Sequence, residues 1–284
     1  MNKFVIYTNP YKDIDDVVTN KVKDYLCKKG ASVCESDQTD AMTLVLGGDG
    51  TMLQAIRELP SDGPYIGVNL GNLGFLTEIE RDNIEASLDR LIEDDFVLEK
   101  RMLLEGKVNI NTKCDADVDA INTADTDQNA DKKAIWAFND VVLTRCGSLK
   151  ILSFEIYVNG RFLHEYLADG IILSTPTGST GYNLSAGGPL ASPASELIML
   201  TPICPHSLNQ RSIILSGDDV VEIKIPLSKD NHEQEMEVSF DGSNRQIVHT
   251  GDSIVVGRSN RYITIARLGK DSFLDALNRK MSEK

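Results

Sequence analysis

The first hundred residues alternate between short apolar runs and longer amphipathic segments. Strands are predicted at Lys3–Thr8, Ala31–Cys34, Met42–Leu46 and Tyr65–Asn69. Between them, apolar residues recur at helical spacing in Asp13–Lys29, in Thr51–Glu58 and around residues 84–92. Strands that alternate with helices indicate a parallel α/β sheet, and ligands of such sheets lie beyond the carboxyl ends of the strands.

From about Phe96 onward, the apolar residues recur at every second position. This pattern predicts a mostly antiparallel second domain, with turns such as Asn159-Gly160 between strands. The predicted strands are Val97–Asn109, Ala134–Arg145, Leu149–Tyr157, Arg161–Ala168, Gly170–Ser174, Val220–Leu227, Glu235–Phe240, Ser253–Val256 and Tyr262–Arg267. Phe273–Met281 is predicted to be a helix that packs back on the first domain.

These patterns divide the chain into three parts. We predict an N-terminal α/β domain at residues 1–100, a mostly β domain at 101–268 and a C-terminal helix at 269–284. Asn111–Lys133 stands apart because it is rich in Asp, Asn, Ala and Thr, which favours a flexible hairpin extension. Its acidic residues lack the spacing and the turn glycine of a calcium loop.

Composition and charge exclude several classes of protein. The 284-residue chain has a net charge of −14, which argues against binding to nucleic acid because no basic stripe is present. Its five cysteines lack the short paired spacings of a zinc site, so we expect reduced thiols in the cytoplasm. No stretch approaches the roughly 20 apolar residues needed to span a bilayer, and the N-terminal apolar run is too short for a signal peptide.

Residues 47–51 read Gly-Gly-Asp-Gly-Thr and directly follow the predicted strand Met42–Leu46. Glycines let the backbone turn sharply and bring bare N–H groups up to an anion such as phosphate. The carboxylate of Asp49 is unfavourable there unless it holds a metal ion or takes a proton from a hydroxyl. The motif therefore indicates phosphoryl transfer. The alternative is a strand-to-helix turn in which Asp49 or Thr51 caps the helix.

A second loop rich in glycine and hydroxyl residues, at 174–188, also follows an apolar strand. Its hydroxyl and N–H groups can donate to phosphate or to base edges, and Tyr182 can stack on a ring. If residues 178–186 open a helix, its N-terminus would favour an anion. Two such loops in one chain fit a nucleotide better than two unrelated turns.

Two shorter motifs add groups suited to a nucleoside. Phe75 follows two glycines and offers a flat apolar face to a purine, although it could equally be a core residue. Asn139 and Asp140 suit the vicinal hydroxyls of a ribose, but neighbours on a strand face opposite ways unless a bulge or a strand end intervenes. The alternative is a polar surface pair. Asp241-Gly242 is a further candidate turn, weak by itself.

In order and spacing, these motifs resemble the ATP-dependent NAD kinases. The resemblance rests on 47–51, on Leu70-Gly-Asn-Leu-Gly-Phe-Leu76, on Phe138-Asn-Asp140, and on Asp169-Gly170 with Thr175–Gly188. It implies an α/β N-terminal domain and a C-terminal β-sandwich. It also implies a cytoplasmic homo-oligomer, commonly a tetramer, that uses Mg²⁺ or another divalent cation to transfer the ATP γ-phosphoryl group to the 2′-hydroxyl of the adenosine ribose of NAD.

The resemblance also implies roles for individual residues. Asp49 would be the general base or the carboxylate that orients the hydroxyl, Gly50 would border the phosphates, and Phe75 would flank an adenine. Asn139 and Asp140 would bind ribose hydroxyls. The residues expected to hold base and ribose are Asp169, Thr180, Gly181, Tyr182 and Ser185, with Gly181 standing where many relatives carry alanine.

Two alternatives belong to other classes. A lipid kinase would share Gly-Gly-Asp-Gly-Thr, but it would be expected to carry an apolar groove or a basic membrane-facing surface, whereas this chain is acidic. A non-catalytic NAD(H) sensor could lose Asp49 without penalty, so the presence of Asp49 favours an enzyme. The sequence leaves open polyphosphate as donor, NADH as acceptor, feedback by NADP(H) and the oligomeric state.

Overall fold

The computed structural model describes residues 1–34, 40–71, 74–111, 134–147, 151–207, 210–227, 231–269 and 272–282. It separates the chain into two compact units. Unit 1 comprises Met1–Arg101 and Tyr262–Lys284, and unit 2 comprises Met102–Arg261. Nearly all of the predicted hairpin extension Asn111–Lys133 lies outside the described residues. Within the described ranges, no helix has both the length and the apolar character needed to cross a membrane.

Unit 1 is built on a parallel sheet. In chain order its elements are β1 (Lys3–Thr8), α1 (Val17–Lys28), β2 (Ser32–Val33), β3 (Met42–Gly47), α2 (Asp49–Glu58), β4 (Tyr65–Asn69), β5 (Thr77–Glu80) and α3 (Ile84–Ile92). β3 lies between β1 and β4, β2 flanks β1, and β5 pairs with β4, all in parallel register. The predicted parallel α/β first domain is confirmed. Its core joins the apolar faces of α1 and α3 to the buried strands.

Unit 2 contains two antiparallel sheets. β6 (Val97–Asn109) leads into it, and the elements that follow are β7 (Ile135–Ala137), β8 (Asp140–Arg145), β9 (Leu152–Val158), β10 (Arg161–Ala168), β11 (Gly170–Ser174), α4 (Tyr182–Ser185), β12 (Leu197–Ile203), β13 (Ile213–Ser216), β14 (Val221–Lys224), β15 (Glu235–Phe240), β16 (Ser243–His249) and β17 (Ser253–Arg267). One sheet has the order β13-β12-β11-β8-β15-β16. In the other, β14 pairs with β9 and β17, and β10 pairs with β9.

The two sheets of unit 2 share one buried apolar cluster. Leu143 and Leu173 contribute from the first sheet, and Phe154 and Ile223 contribute from the second. An apolar layer between two antiparallel sheets is the arrangement of a β-sandwich, so the predicted class of the second domain is confirmed.

The chain returns to unit 1 through the end of β17. Ile265 pairs in parallel with Tyr65 of β4, and α5 (Ser272–Ser282) follows. The ring centroid of Phe273 on α5 lies 6.3 Å from that of Phe75. The C-terminal helix therefore packs within the first unit, as predicted.

Several predicted boundaries were wrong for local reasons. The first helix begins at Val17 rather than at Asp13, because the Asp13 carboxylate accepts the N–H groups of Val18 and Thr19, both at 2.8 Å. The predicted strands Ser253–Val256 and Tyr262–Arg267 are one continuous strand, β17. Residues 177–185 form a 3₁₀ turn and the four-residue α4, so the continuous helix considered for this loop is absent.

Candidate active site

The Gly-Gly-Asp-Gly-Thr segment lies at the carboxyl end of β3, where the chain turns into α2. Gly47 ends the strand and Asp49 begins the helix. Thr51 Oγ1 accepts the N–H of Gly48 at 3.3 Å, which closes the turn. Gly50 is exposed, and a Cβ at this position would meet open space. The segment therefore has the expected place at the edge of a parallel sheet.

The carboxylate of Asp49 holds the loop that carries Phe75. Its Oδ2 accepts the backbone N–H of Phe75 at 2.9 Å, and its Oδ1 accepts that of Leu76 at 3.0 Å. A Cβ at Gly74 would collide with Oδ1, so glycine is required for this approach. The structure thus brings together the carboxylate and the aromatic residue that the sequence singled out. Each carboxylate oxygen keeps a further lone pair for another donor.

Phe75 is half-buried, and its ring contacts α5. Besides Phe273, the ammonium of Lys280 lies 4.4 Å from the ring centroid. A cavity of about 160 Å³ adjoins this site. Its charged lining residues are Glu78, Glu80, Arg267, Asp275 and Arg279. The sequence predicted neither contact of Phe75 with α5, because a helix pattern alone does not specify which residues the helix meets.

Glu78 and Arg267, which line this cavity, belong to a buried ionic cluster of unit 1. Arg267 NH1 lies 3.2 Å from Glu78 Oε2, and Arg267 Nε lies 3.6 Å from Glu99 Oε2. Glu99 Oε1 lies 3.2 Å from Arg101 Nε, and burial lowers the pKa of Arg101 to about 10. Glu78 Oε1 also accepts the N–H groups of Leu268 and Gly269 at 2.9 and 3.0 Å. The cluster therefore anchors the segment that leads to α5.

In unit 2, the Phe138-Asn139-Asp140 motif interrupts a predicted strand. Ala134–Arg145 was expected to be continuous, but β7 ends at Ala137 and β8 begins at Asp140. The cause is Asp241, whose carboxylate accepts the N–H groups of Phe138, Asn139 and Asp140 at 2.7, 2.7 and 3.2 Å. The strand end removes the objection that Asn139 and Asp140 must face opposite ways. Asp241, weak as a sequence signal, is a residue that organises the motif.

The second glycine loop packs directly against this motif. Thr175 N donates to Asn139 O at 2.8 Å, and Thr175 Oγ1 donates to Phe138 O at 2.7 Å. A Cβ at Gly178 would collide with Asn139 O. Buried Asn183 braces the far side of the loop, since its Nδ2 donates to Pro189 O at 2.9 Å. The structure therefore joins two motifs that are more than thirty residues apart.

The remaining predicted residues of unit 2 differ in their surroundings. Asp169 pairs with Arg145 NH1 at 3.1 Å, and His206 Nε2 lies 3.9 Å away from it. Tyr182 is 45% exposed, and its pKa is raised by burial and then by the charges of Cys204, Asp140 and Asp169. Both effects disfavour the charged phenolate form of Tyr182.

Thr180, Gly181 and Ser185 lie on the same loop. Thr180 Oγ1 donates to Thr177 O at 3.4 Å, and Gly181 separates the 3₁₀ turn from α4. A Cβ at Gly181 would lie 3.3 Å from Gly178 O and 3.7 Å from Asn139 Nδ2, so this position faces Asn139. Ser185 is exposed at the end of α4.

Asp140 and Asn139 both carry unusual polar atoms. Asp140 is 6% exposed, and burial together with the charge of Asp241 raises its pKa to about 7. Asn139 Oδ1 is buried and has no hydrogen-bond partner among the described residues. A buried amide oxygen without a donor is costly, so this atom is suited to accept a hydrogen bond from a ligand.

Sequence comparisons connect both units to one family. Residues 5–96 match the profile of the ATP-NAD kinase N-terminal domain, and residues 138–268 match that of the ATP-NAD kinase C-terminal domain. An NAD kinase of Lachnospira eligens is 40% identical over 310 aligned residues, which cover 99% of this chain and 100% of that enzyme. One from Lachnoclostridium phytofermentans is 39% identical and covers 100% of both chains.

Solved structures agree with the fold. A yeast NADH kinase complexed with NADH has a TM-score of 0.81 and 23% identity, over 100% of this chain and 88% of that one. An NAD kinase from Archaeoglobus fulgidus in complex with ATP has a TM-score of 0.75 and 21% identity, over 100% of both. Together with the two matched domains and the full-length relatives, the organisation of the glycine motifs leads to one conclusion: the chain belongs to the ATP-NAD kinase family.

Proposed function

We propose that this protein transfers the γ-phosphoryl group of ATP to the 2′-hydroxyl of the adenosine ribose of NAD, giving NADP and ADP. The observation that carries the proposal is the carboxylate of Asp49 at the turn from β3 to α2. It is fixed by two backbone N–H groups and retains lone pairs for a hydroxyl donor. A carboxylate held in this way meets the substrate hydroxyl in one orientation.

Asp49 acts on the nucleophile of the reaction. The 2′-hydroxyl donates its hydrogen bond to Asp49 and loses its proton to that carboxylate as the oxygen bonds to the γ-phosphorus and the bond to ADP breaks. Phosphoryl transfer passes through a loose transition state, so alignment of the hydroxyl matters as much as removal of its proton. Gly50, which has open space around it, borders the phosphates.

The residues of unit 2 hold the adenosine part of NAD. Asn139 Oδ1, buried without a partner among the described residues, accepts a hydrogen bond from one ribose hydroxyl, and Asp140 binds a second. Asp169, Thr180, Tyr182 and Ser185 supply polar contacts to base and ribose, with Gly181 beside Asn139. Phe75 offers its ring to an adenine, and the contacts with α5 keep that ring in a fixed place.

Mg²⁺ or another divalent cation enters as the complex with ATP. Mg²⁺ usually binds through substrate phosphates and one or two carboxylates, and it keeps several water ligands. Throughout the described ranges, no three His, Cys, Asp or Glu side chains converge as a metal site. The cation supplies charge neutralisation on the transferred phosphoryl group, while Asp49 orients the hydroxyl.

The proposed setting is the cytoplasm, with the protein as a homo-oligomer for which a tetramer is favoured. Membership of the family supports both, and the free described cysteines Cys27, Cys34, Cys146 and Cys204 support the cytoplasm. Size-exclusion chromatography with light scattering measures the oligomer directly.

The test is formation of NADP⁺ from NAD⁺ and Mg-ATP, read by coupling to an NADP⁺-specific dehydrogenase. We expect product with ATP, and parallel reactions with polyphosphate and with NADH define the donor and the acceptor. Saturable NAD⁺ binding without product from any donor would identify a sensor instead. Absence of NAD⁺ binding would contradict the proposal altogether.

A further inference from the structure

The turn that follows β1 is hydrogen-bonded to the glycine motif of unit 1. Asn9 N donates to Leu46 O at 3.1 Å, and Asn9 Nδ2 donates to Thr51 Oγ1 at 3.2 Å. The backbone N–H groups of Lys12 and Asp13 donate to Asn9 O at 3.0 and 3.1 Å. These bonds fix the place at which the Lys12 side chain leaves the backbone. The sequence predicted no role for this turn, although Asn9-Pro10 after the first strand is typical of one.

The ammonium of Lys12 lies beside two glycines, Gly48 and Gly71. A Cβ at Gly48 would lie 2.9 Å from Lys12 Nζ, and a Cβ at Gly71 would lie 3.5 Å from it. A larger side chain at Gly48 would therefore displace the ammonium. Glycine at both positions leaves the ammonium beside bare backbone, close to the carboxylate-bearing turn.

Lys12 is exposed, and the described part of the chain places no carboxylate against its ammonium. Lys3, Lys21 and Lys29 each lie within 3.0 Å of a carboxylate oxygen. For Lys12, no carboxylate oxygen of the described residues lies within 4.0 Å. In a chain with a net charge of −14, an exposed ammonium that lies beside glycine backbone and meets no carboxylate of the described ranges is suited to an anion. A lysine ammonium binds phosphate as a point charge with charge-assisted hydrogen bonds.

We propose that Lys12 binds a phosphate group of the nucleotide during phosphoryl transfer, an inference that rests on the proposed function. The phosphate belongs either to the triphosphate of ATP or to the pyrophosphate of NAD, which present the same chemistry to an ammonium. Because the bonds that shape the turn come from the backbone and from Asn9, substitution of the Lys12 side chain leaves them in place.

The test compares Lys12→Met and Lys12→Arg with Lys23→Met, which removes an exposed lysine from α1. We expect Lys12→Met to lower kcat/KM roughly ten- to a hundredfold for the substrate whose phosphate is bound, the scale of one hydrogen bond to a charged group. Lys12→Arg should retain most of the activity, and Lys23→Met should match the wild type. A selective loss toward ATP identifies the donor phosphate, and a selective loss toward NAD identifies the pyrophosphate.

Calorimetric titration with ATP and with NAD, each without the other substrate, separates this inference from the proposed function. Weaker binding of either nucleotide to Lys12→Met supports the phosphate contact even if the wild type forms no NADP⁺. Lys12→Met with wild-type kcat/KM for both substrates and wild-type affinity for both nucleotides would overturn it.

Discussion

Asp241 Oδ1 lies 2.7 Å from the backbone nitrogen of Asn139, across about one hundred residues of chain. The same carboxylate binds the N–H groups on both sides, and so it holds the strand break at Asn139 and Asp140. Because these N–H groups are bound by a side chain, the adjacent strands do not have to satisfy them. The motif proposed to bind ribose therefore depends on a residue about one hundred positions away in the chain.

Asp241→Asn should raise the KM for NAD about tenfold. The substituted amide places an N–H donor against a backbone N–H, and an unsatisfied buried donor costs about 1–3 kcal/mol. Steady-state kinetics should show the KM for ATP and kcat much less affected. Asp219→Asn is the matched control, since Asp219 also accepts a backbone N–H, that of Ser216 at 2.9 Å, in the connection from β13 to β14. Equal KM values for NAD in the two variants would contradict the positioning role of Asp241.

Asp140 makes the stability of the protein depend on pH. Burial raises its pKa from 3.8 to about 7, so between these values the folded state keeps a proton that the unfolded state releases. The contribution of Asp140 to the free energy of unfolding is therefore greatest at low pH and falls as pH rises toward 7. From pH 5 to pH 8 this loss is about 2–3 kcal/mol.

Asp140→Asn should remove this dependence. Urea unfolding at pH 5, 6, 7 and 8 should show the wild type losing stability relative to the variant as pH rises, because the amide does not titrate. Parallel stability curves for the two proteins would show that Asp140 has an ordinary pKa.

Glu78 and Glu80 lie on the same strand, β5, and both pair with arginine. The Glu78 side chain is 8% exposed and binds buried Arg267, whereas that of Glu80 is 56% exposed and lies 2.8 Å from exposed Arg279. Glu78→Ala should cost about 3–5 kcal/mol, because it removes the nearer carboxylate of buried Arg267 and the acceptor of the Leu268 and Gly269 N–H groups. Glu80→Ala should cost about 1 kcal/mol or less. Thermal unfolding checks both, and similar losses in the two variants would refute the contrast.

Gly178 and Gly181 lie in the same loop, but only Gly181 should tolerate substitution by alanine. Gly178→Ala should destabilise the protein by roughly 2 kcal/mol or more, since its Cβ would collide with the backbone oxygen of Asn139 and overpacking typically costs about 1–3 kcal/mol. Gly181→Ala should cost less than about 1 kcal/mol, because its nearest neighbour would lie at 3.3 Å. Chemical denaturation of the two variants measures the difference. An alanine at 181 that is as damaging as one at 178 would contradict this geometry.

Much of the fold followed from periodicity. β6, β10, β11 and β15 have the predicted bounds, and the Asn159-Gly160 turn has positive φ at both residues, as a two-residue hairpin requires. In contrast, the sequence did not predict β12. Nearly every side chain of this strand is buried, so its apolar run has no period of two. β16 was missed for the opposite reason, since it is mostly exposed and polar and is held by its backbone ladder with β15.

The glycine motifs and their aspartate were identifiable because a few residue types at fixed spacing carry the chemistry. The distant residues that hold these motifs in place were not identifiable from the sequence. Asn9 binds the glycine motif, and the Lys12 ammonium lies beside it, from about forty residues away. Asp241 binds its motif from about one hundred residues away. Such contacts depend on which strands become neighbours, and a single sequence does not specify that pairing.

The most direct test of the proposed role of Asp49 is the turnover of Asp49→Asn in the coupled NADP⁺ assay, with NAD⁺ affinity and thermal unfolding of the same variant as controls. These controls report whether the loop of Phe75, which the Asp49 carboxylate holds, stays in place. We predict that kcat falls roughly 10²–10⁴-fold in Asp49→Asn, while NAD⁺ still binds and the protein stays folded. Near-normal turnover in Asp49→Asn would contradict the assignment of Asp49 to the reacting hydroxyl.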